Sequence, residues 1–80
     1  MILKRCRDCG GTVAIVRTTD ANNCTRWVIV GHGMQPCRCG PAVKMQSGGF
    51  HTLAASETAY DMLIARWNKE RGMPDGMDSH

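Results

Sequence analysis

Cys6 and Cys9 stand in LKRCRDCGG, residues 3–11, and Cys37 and Cys39 in PCRCGP, residues 36–41. A Cys-x-x-Cys turn places two sulfurs on one side of the backbone, each within about 2.3 Å of a shared ion. A following glycine leaves room for backbone N–H groups to approach the sulfurs. Cys6, Cys9, Gly10 and Gly11 meet that pattern in full. The second turn repeats only its ending: Cys39-Gly40 matches Cys9-Gly10, but the regular partner position is occupied by Pro36, and Cys37 lies one residue closer. A Cys-x-Cys pair chelates one ion only if the loop bends differently. The ligand set read from the sequence is Cys6, Cys9, Cys37 and Cys39, holding a structural Zn2+. His32, in the glycine-flanked stretch GHGMQPC, is the alternative fourth ligand; its ordinary reading is a solvated loop histidine. Cys24 is the spare cysteine.

Four thiolates around one zinc ion leave no open position for water, so the predicted site is structural, not catalytic. The competing reading of Cys6 and Cys9 is a redox pair. Such pairs normally precede a helix in a βαβ unit, whereas glycines and a strand follow here. Other catalytic patterns are missing from the sequence. It has no Gly-rich phosphate loop ending in Lys-Ser/Thr and no His-Glu-x-x-His. Its carboxylates are scattered, and His51 and His80 stand alone. The expectation is a protein that is not an enzyme.

The elements that must position the cysteines follow from periodicity and turn chemistry. Residues 12–19, TVAIVRTT, are rich in β-branched side chains and predict a strand. DANNC, 20–24, is turn chemistry, and TRWVIV, 25–30, is a second strand closing a hairpin with Cys24 near its tip. AVKMQ, 42–46, alternates and adds a third strand, ended by SGG. Ser56 is the expected N-cap of a helix running to Gly72. Its Tyr60, Leu63, Ile64 and Trp67 fall at i, i+3, i+4 and i+7, one apolar stripe that packs on a sheet. The fold class is therefore small α+β: a zinc-ribbon-like β-hairpin of two or three antiparallel strands closed by one C-terminal amphipathic helix. Residues 1–72 form a single domain, and 73–80 read as a flexible tail.

Composition bears on the same question. A chain of 80 residues buries only about 60% of its unfolded surface, and four aromatic side chains make a thin core. A fold this small usually needs a staple. MILKRCRD lacks the apolar stretch of a secretory signal, and the longest strongly apolar run, WVIV, is too short to cross a bilayer. A reducing cytosol, where cysteine clusters serve metals, is the expected compartment. The formal charge of +3 falls to roughly +1 once a zinc ion with four thiolates contributes about −2. Arg5, Arg7, Arg38 and Lys44 still permit weak nucleic-acid contact, so a zinc-ribbon nucleic-acid-binding or transcription-regulatory protein is the alternative function. Against it stands the scarcity of aromatics for stacking on bases.

The opening LKRCRDCGG, the Cys-Gly knuckle at 39–40 and ARWNKER on the closing helix together resemble the Lar family of restriction alleviation proteins, small zinc-ribbon-like proteins of phages and prophages. The matching residues are Leu3, Lys4, Cys6, Cys9, Gly10, Gly11, Cys39, Gly40, Trp67 and Asn68. The sequence departs from the family in its Cys-x-Cys second knuckle and in a long segment between Gly40 and Ser56. The resemblance implies a phage protein in the cytoplasm of a bacterial host. It also implies that the protein antagonises host defence by binding a type I restriction–modification enzyme.

Overall fold

The computed structural model describes residues 2–73. Strands β1 (Val13–Thr19), β2 (Thr25–Gly31) and β3 (Val43–Gln46) are followed by helix α1 (Leu53–Glu70). The three strands form one antiparallel sheet in the order β1-β2-β3. This is the expected small α+β architecture with the third strand present, and it resembles a zinc ribbon. Among the described residues no helix is long and apolar enough to cross a membrane.

The β1–β2 turn is built by Asp20. Its Oδ1 accepts the N–H groups of Asn22 at 2.9 Å and Cys24 at 3.0 Å, and Oδ2 accepts from Arg26 at 3.2 Å. Asn23 takes the positive φ of 60° that the reversal needs, a conformation Asn tolerates. These bonds, the Cys24 and Asn22 amides first, hold the Asp20 carboxyl below the usual carboxylate range. The turn is therefore stabilised above that range and loosens as pH falls through the depressed value.

Along β2 the side chains alternate. Trp27 and Ile29 face the helix, as do Val13 and Ile15 of β1 and Met45 of β3. Ala14, Val16 and Val30 occupy the other face. The β2–β3 register slips between Ile29 and Val30, so that Ile29 pairs Met45 and Val30 pairs Val43. Lys44 is the extra residue of this bulge. A bulge re-aims a side chain, and here the Lys44 Nζ reaches the carbonyl of Cys39 at 2.9 Å.

The helix begins one turn earlier than expected. Thr52, not Ser56, is the N-cap, and its Oγ1 accepts the Ala55 N–H at 3.1 Å. Leu53, Ala54 and Ala55 are good helix formers and extend the helix back to the threonine. Ser56 is buried inside the helix, where its carbonyl and hydroxyl accept the indole N–H of Trp27 at 3.0 and 3.2 Å. Glu57 and Asp61 consequently lie beyond the first turn, which has no acidic residue. Leu63, Ile64 and Trp67 are buried as the stripe predicts, and Tyr60 packs edge-on against Trp27 at 5.0 Å between ring centroids. At the far end the N–H groups of Arg71 and Gly72 both return to the Trp67 carbonyl, at 2.7 and 2.6 Å.

The chain start is bound to this helix end. The Trp67 indole N–H donates to the Lys4 carbonyl at 2.8 Å, Asn68 accepts the Lys4 N–H at 2.9 Å, and its Nδ2 donates to the Ile2 carbonyl at 2.7 Å. Met73 also donates its N–H to Arg5, at 2.8 Å, so the paired segment reaches one residue past the expected domain end. The rest of the expected tail, residues 74–80, lies outside the described residues.

Candidate metal centre

Cys6 leaves the N-terminal segment fully buried, bridged to Gly72 and packed with Ile29, Leu63 and Trp67. The turn that follows closes on itself. The Cys6 carbonyl accepts the Gly10 N–H at 2.8 Å, the Cys6 N–H donates to Gly11 at 3.0 Å, and Gly10 adopts φ +71°. The Gly11 N–H points at the Cys9 sulfur, 3.4 Å away.

The second turn is held by the first. Thr12 donates its N–H to the Gln35 carbonyl at 2.9 Å, and its own carbonyl accepts from His32 at 3.1 Å and Cys37 at 2.9 Å. Its hydroxyl bonds the His32 carbonyl. Gly11 and Gly31 make this closeness sterically feasible. A Cβ on Gly11 would sit 2.6 Å from the Cys37 Cα, and one on Gly31 would collide with the Cys37 carbonyl. Gly40, at φ +75°, ends the turn. Cys37 is thus clamped between two glycine backbones, and this clamp lets a Cys-x-Cys pair do the work of a regular knuckle.

The result is a cluster in which the sulfurs of Cys6, Cys9, Cys37 and Cys39 all lie within 4.8 Å of one another. Cys9 and Cys37 are 3.8 Å apart. A tetrahedron with metal–sulfur bonds of about 2.3 Å has edges of about 3.8 Å, so the spacing suits one ion. Among the described residues no other group of His, Cys, Asp or Glu is arranged to hold a metal. His32 is exposed and outside the cluster, in the loop that its backbone anchors to Thr12. Cys24 is at the hairpin tip, against Gly49, far along the sheet from the knuckles.

The electrostatics favour a cation. The Gly11 N–H, followed by the Cys39 side chain, lowers the Cys9 thiol to about 6. Cys37 and Cys39, by contrast, resist ionising. Cys39 is pushed up to about 12, chiefly by Cys9, and Cys37 is raised, chiefly by burial. The Cys9 thiolate forms readily, whereas Cys37 and Cys39 ionise only with a positive charge among the sulfurs. Metal binding therefore releases protons, and protons compete for the sulfurs. Bound metal should be lost as pH falls from 7 toward 4, with proton release on metal addition at neutral pH. Potentiometric titration during zinc addition checks both, and a metal content constant down to pH 4 would contradict it.

The cysteine spacing singles out Gly11 only as room for N–H groups at the first knuckle, not as a contact of Cys37, and does not single out Gly31. A glycine ending the apolar run VIVG was the available signal, since glycine in a strand often marks close backbone approach. Gly11→Ala is expected to weaken metal binding by at least about tenfold, equivalent to about 1.4 kcal/mol, because Cys37 must move away. Competition against a chromophoric chelator measures it, and Gly48→Ala, which meets open space, serves as the control.

No family model, curated protein or solved structure matches this chain.

Proposed function

We propose that this chain is a non-catalytic scaffold, held together by one structural zinc ion, that works by binding another protein. The observation that carries this reading is the four-sulfur cluster, compact enough for its sulfurs to share one ion. Thiolates suit zinc, and a four-thiolate site keeps no position for substrate. Two of the four sulfurs, those of Cys6 and Cys37, belong to the hydrophobic core itself, which fits a metal that builds the fold.

The class of partner comes from the resemblance to Lar-type restriction alleviation proteins, and on that basis the partner is a bacterial restriction–modification enzyme. Of the residues that carry the resemblance, Lys4, Cys6, Trp67 and Asn68 form one bonded or packed unit in the fold. Expression in a host with type I restriction is expected to raise plating of unmodified phage, and zinc-ligand variants should lose the effect. Unchanged plating across several restriction systems, with tight and steeply salt-dependent DNA binding by the purified chain, would favour the nucleic-acid reading instead.

A further inference from the structure

We infer that the free edge of β1, with the cleft between it and α1, takes an extended segment of a partner protein that adds a fourth strand and presents a basic side chain to Glu57 and Asp61. The inference rests on the reading of this chain as a protein-binding scaffold and locates the surface that does the binding.

The bonding direction along β1 is fixed by its two ends. Asp20 donates its N–H to Cys24, and Thr12 accepts from His32, both across the hairpin. In an antiparallel pair this direction alternates with period two. Residues 12, 14, 16, 18 and 20 therefore bond inward to β2. The N–H and C=O groups of Val13, Ile15, Arg17 and Thr19 point outward, and among the described residues β1 has no neighbouring strand on that side. Such a row is a template for strand addition.

The side chains of the same four residues lie on the helix face, since Ile15 pairs Ile29 and Arg17 pairs Trp27. The helix lies over β2 and β3; Val13 and Ile15 still reach the core beneath it, but Arg17 and Thr19 at the far end of β1 stay exposed beside a gap. Two adjoining hollows of about 460 and 510 Å³ fill the gap and share Arg17, Leu53 and Ser56. Trp27, Leu53 and Tyr60 supply apolar surface. Glu57 and Asp61, one helical turn apart and both exposed, supply charge. Neither has an ion-pair partner among the described residues. Against Arg17, the two carboxylates leave the second hollow a net negative charge. An added strand would lie about 4.8 Å beyond β1, with alternate side chains over this cleft. Its best-fitting sequence alternates β-branched or apolar residues with Lys or Arg on the cleft side.

A second copy of the chain is the poorer occupant. The antiparallel register that pairs all of β1 with its own copy sets Arg17 opposite Ile15 and the two Arg17 side chains one diagonal step apart, where like charges repel.

The test pans phage-displayed random dodecamers over the full chain folded with zinc, then titrates the winning synthetic peptide into 15N-labelled protein. The expected peptides carry Lys or Arg among alternating β-branched residues. Their binding should slow hydrogen exchange at Val13, Ile15, Arg17 and Thr19. Glu57→Lys with Asp61→Lys, both on the exposed helix surface, should weaken binding about tenfold or more. Arg17→Pro removes one outward N–H without touching the ladder to β2 and should abolish binding, while Arg17→Ala should not. Zinc content and melting temperature confirm that each variant folds. The inference is overturned if no peptide enriches, if binding ignores the charge reversal and the proline, or if the outward amides are protected by dimerisation without peptide. Phage plating separates this from the proposed function. Raised plating that survives Arg17→Pro and the charge reversal removes the β1 surface and leaves the function standing. Peptide binding at β1 with no effect on plating does the reverse.

Discussion

Treatment with a chelator should unfold this protein outright. The purified chain should carry one zinc ion, and EDTA should abolish both the cooperative melting transition and the dispersed amide spectrum. The effect is expected to be large because the sulfur cluster and the core are one structure. Cys6 and Cys37 are buried with Ile29, Leu63 and Trp67, and the sulfur cluster ties the N-terminal segment to the loop after β2. Structural zinc sites of this kind supply about 10–16 kcal/mol of apparent binding energy, comparable to or larger than the whole stability of a typical domain. Cys6→Ser and Cys37→Ser should fail to fold at 37 °C, whereas Cys24→Ser and His32→Ala should keep full metal content and melting temperature. A chain whose melting is indifferent to EDTA would show that the cysteines are merely reduced neighbours. A chain that loses zinc on His32→Ala but keeps it on Cys37→Ser would move the fourth ligand to the loop.

Trp67→Ala should be the most damaging change outside the cysteines. Trp67 is fully buried, and truncating a buried Trp to Ala typically costs about 3–5 kcal/mol. Here the loss reaches further, because the indole N–H holds the Lys4 carbonyl, two residues before Cys6. The variant should therefore melt at much lower temperature and also bind zinc more weakly. Trp67→Phe keeps most of the volume and drops only the donor, so it should recover much of the stability while Cys6 remains less well placed. Equal melting of wild type and Trp67→Ala would show that the helix stripe does not anchor the sheet. Equal zinc affinity in Trp67→Phe would show that the Lys4 bond does not position Cys6.

Some of this organisation was written in local chemistry. The β-branched run of β1, the Asp-Asn turn and the i, i+3, i+4, i+7 stripe of α1 act over a few residues, and each formed where periodicity put it. The helix start did not. Thr52 and Ser56 are both acceptable N-caps, and the helix formers Leu53, Ala54 and Ala55 between them permit either start. Trp27, distant in sequence, adds to the earlier start, since its indole N–H engages Ser56 inside the helix. The Lys44 bulge is of the same kind, since a one-residue slip between β2 and β3 leaves no mark in the alternation of AVKMQ.

By itself the sequence determined the chemistry at stake: which residues are thiols, that Cys6 and Cys9 have knuckle spacing, and that Cys39-Gly40 echoes it. Those are properties of residue type and short separation, and chelate geometry depends on both. Only the tertiary structure decided that Cys37 joins the cluster while His32 stays outside it. That outcome depends on Gly11 and Gly31, twenty residues apart, meeting on either side of the Cys37 backbone, and on Thr12 holding the loop by its carbonyl. The room left by a missing Cβ matters only between segments already brought together, so no local pattern around Cys37 records it.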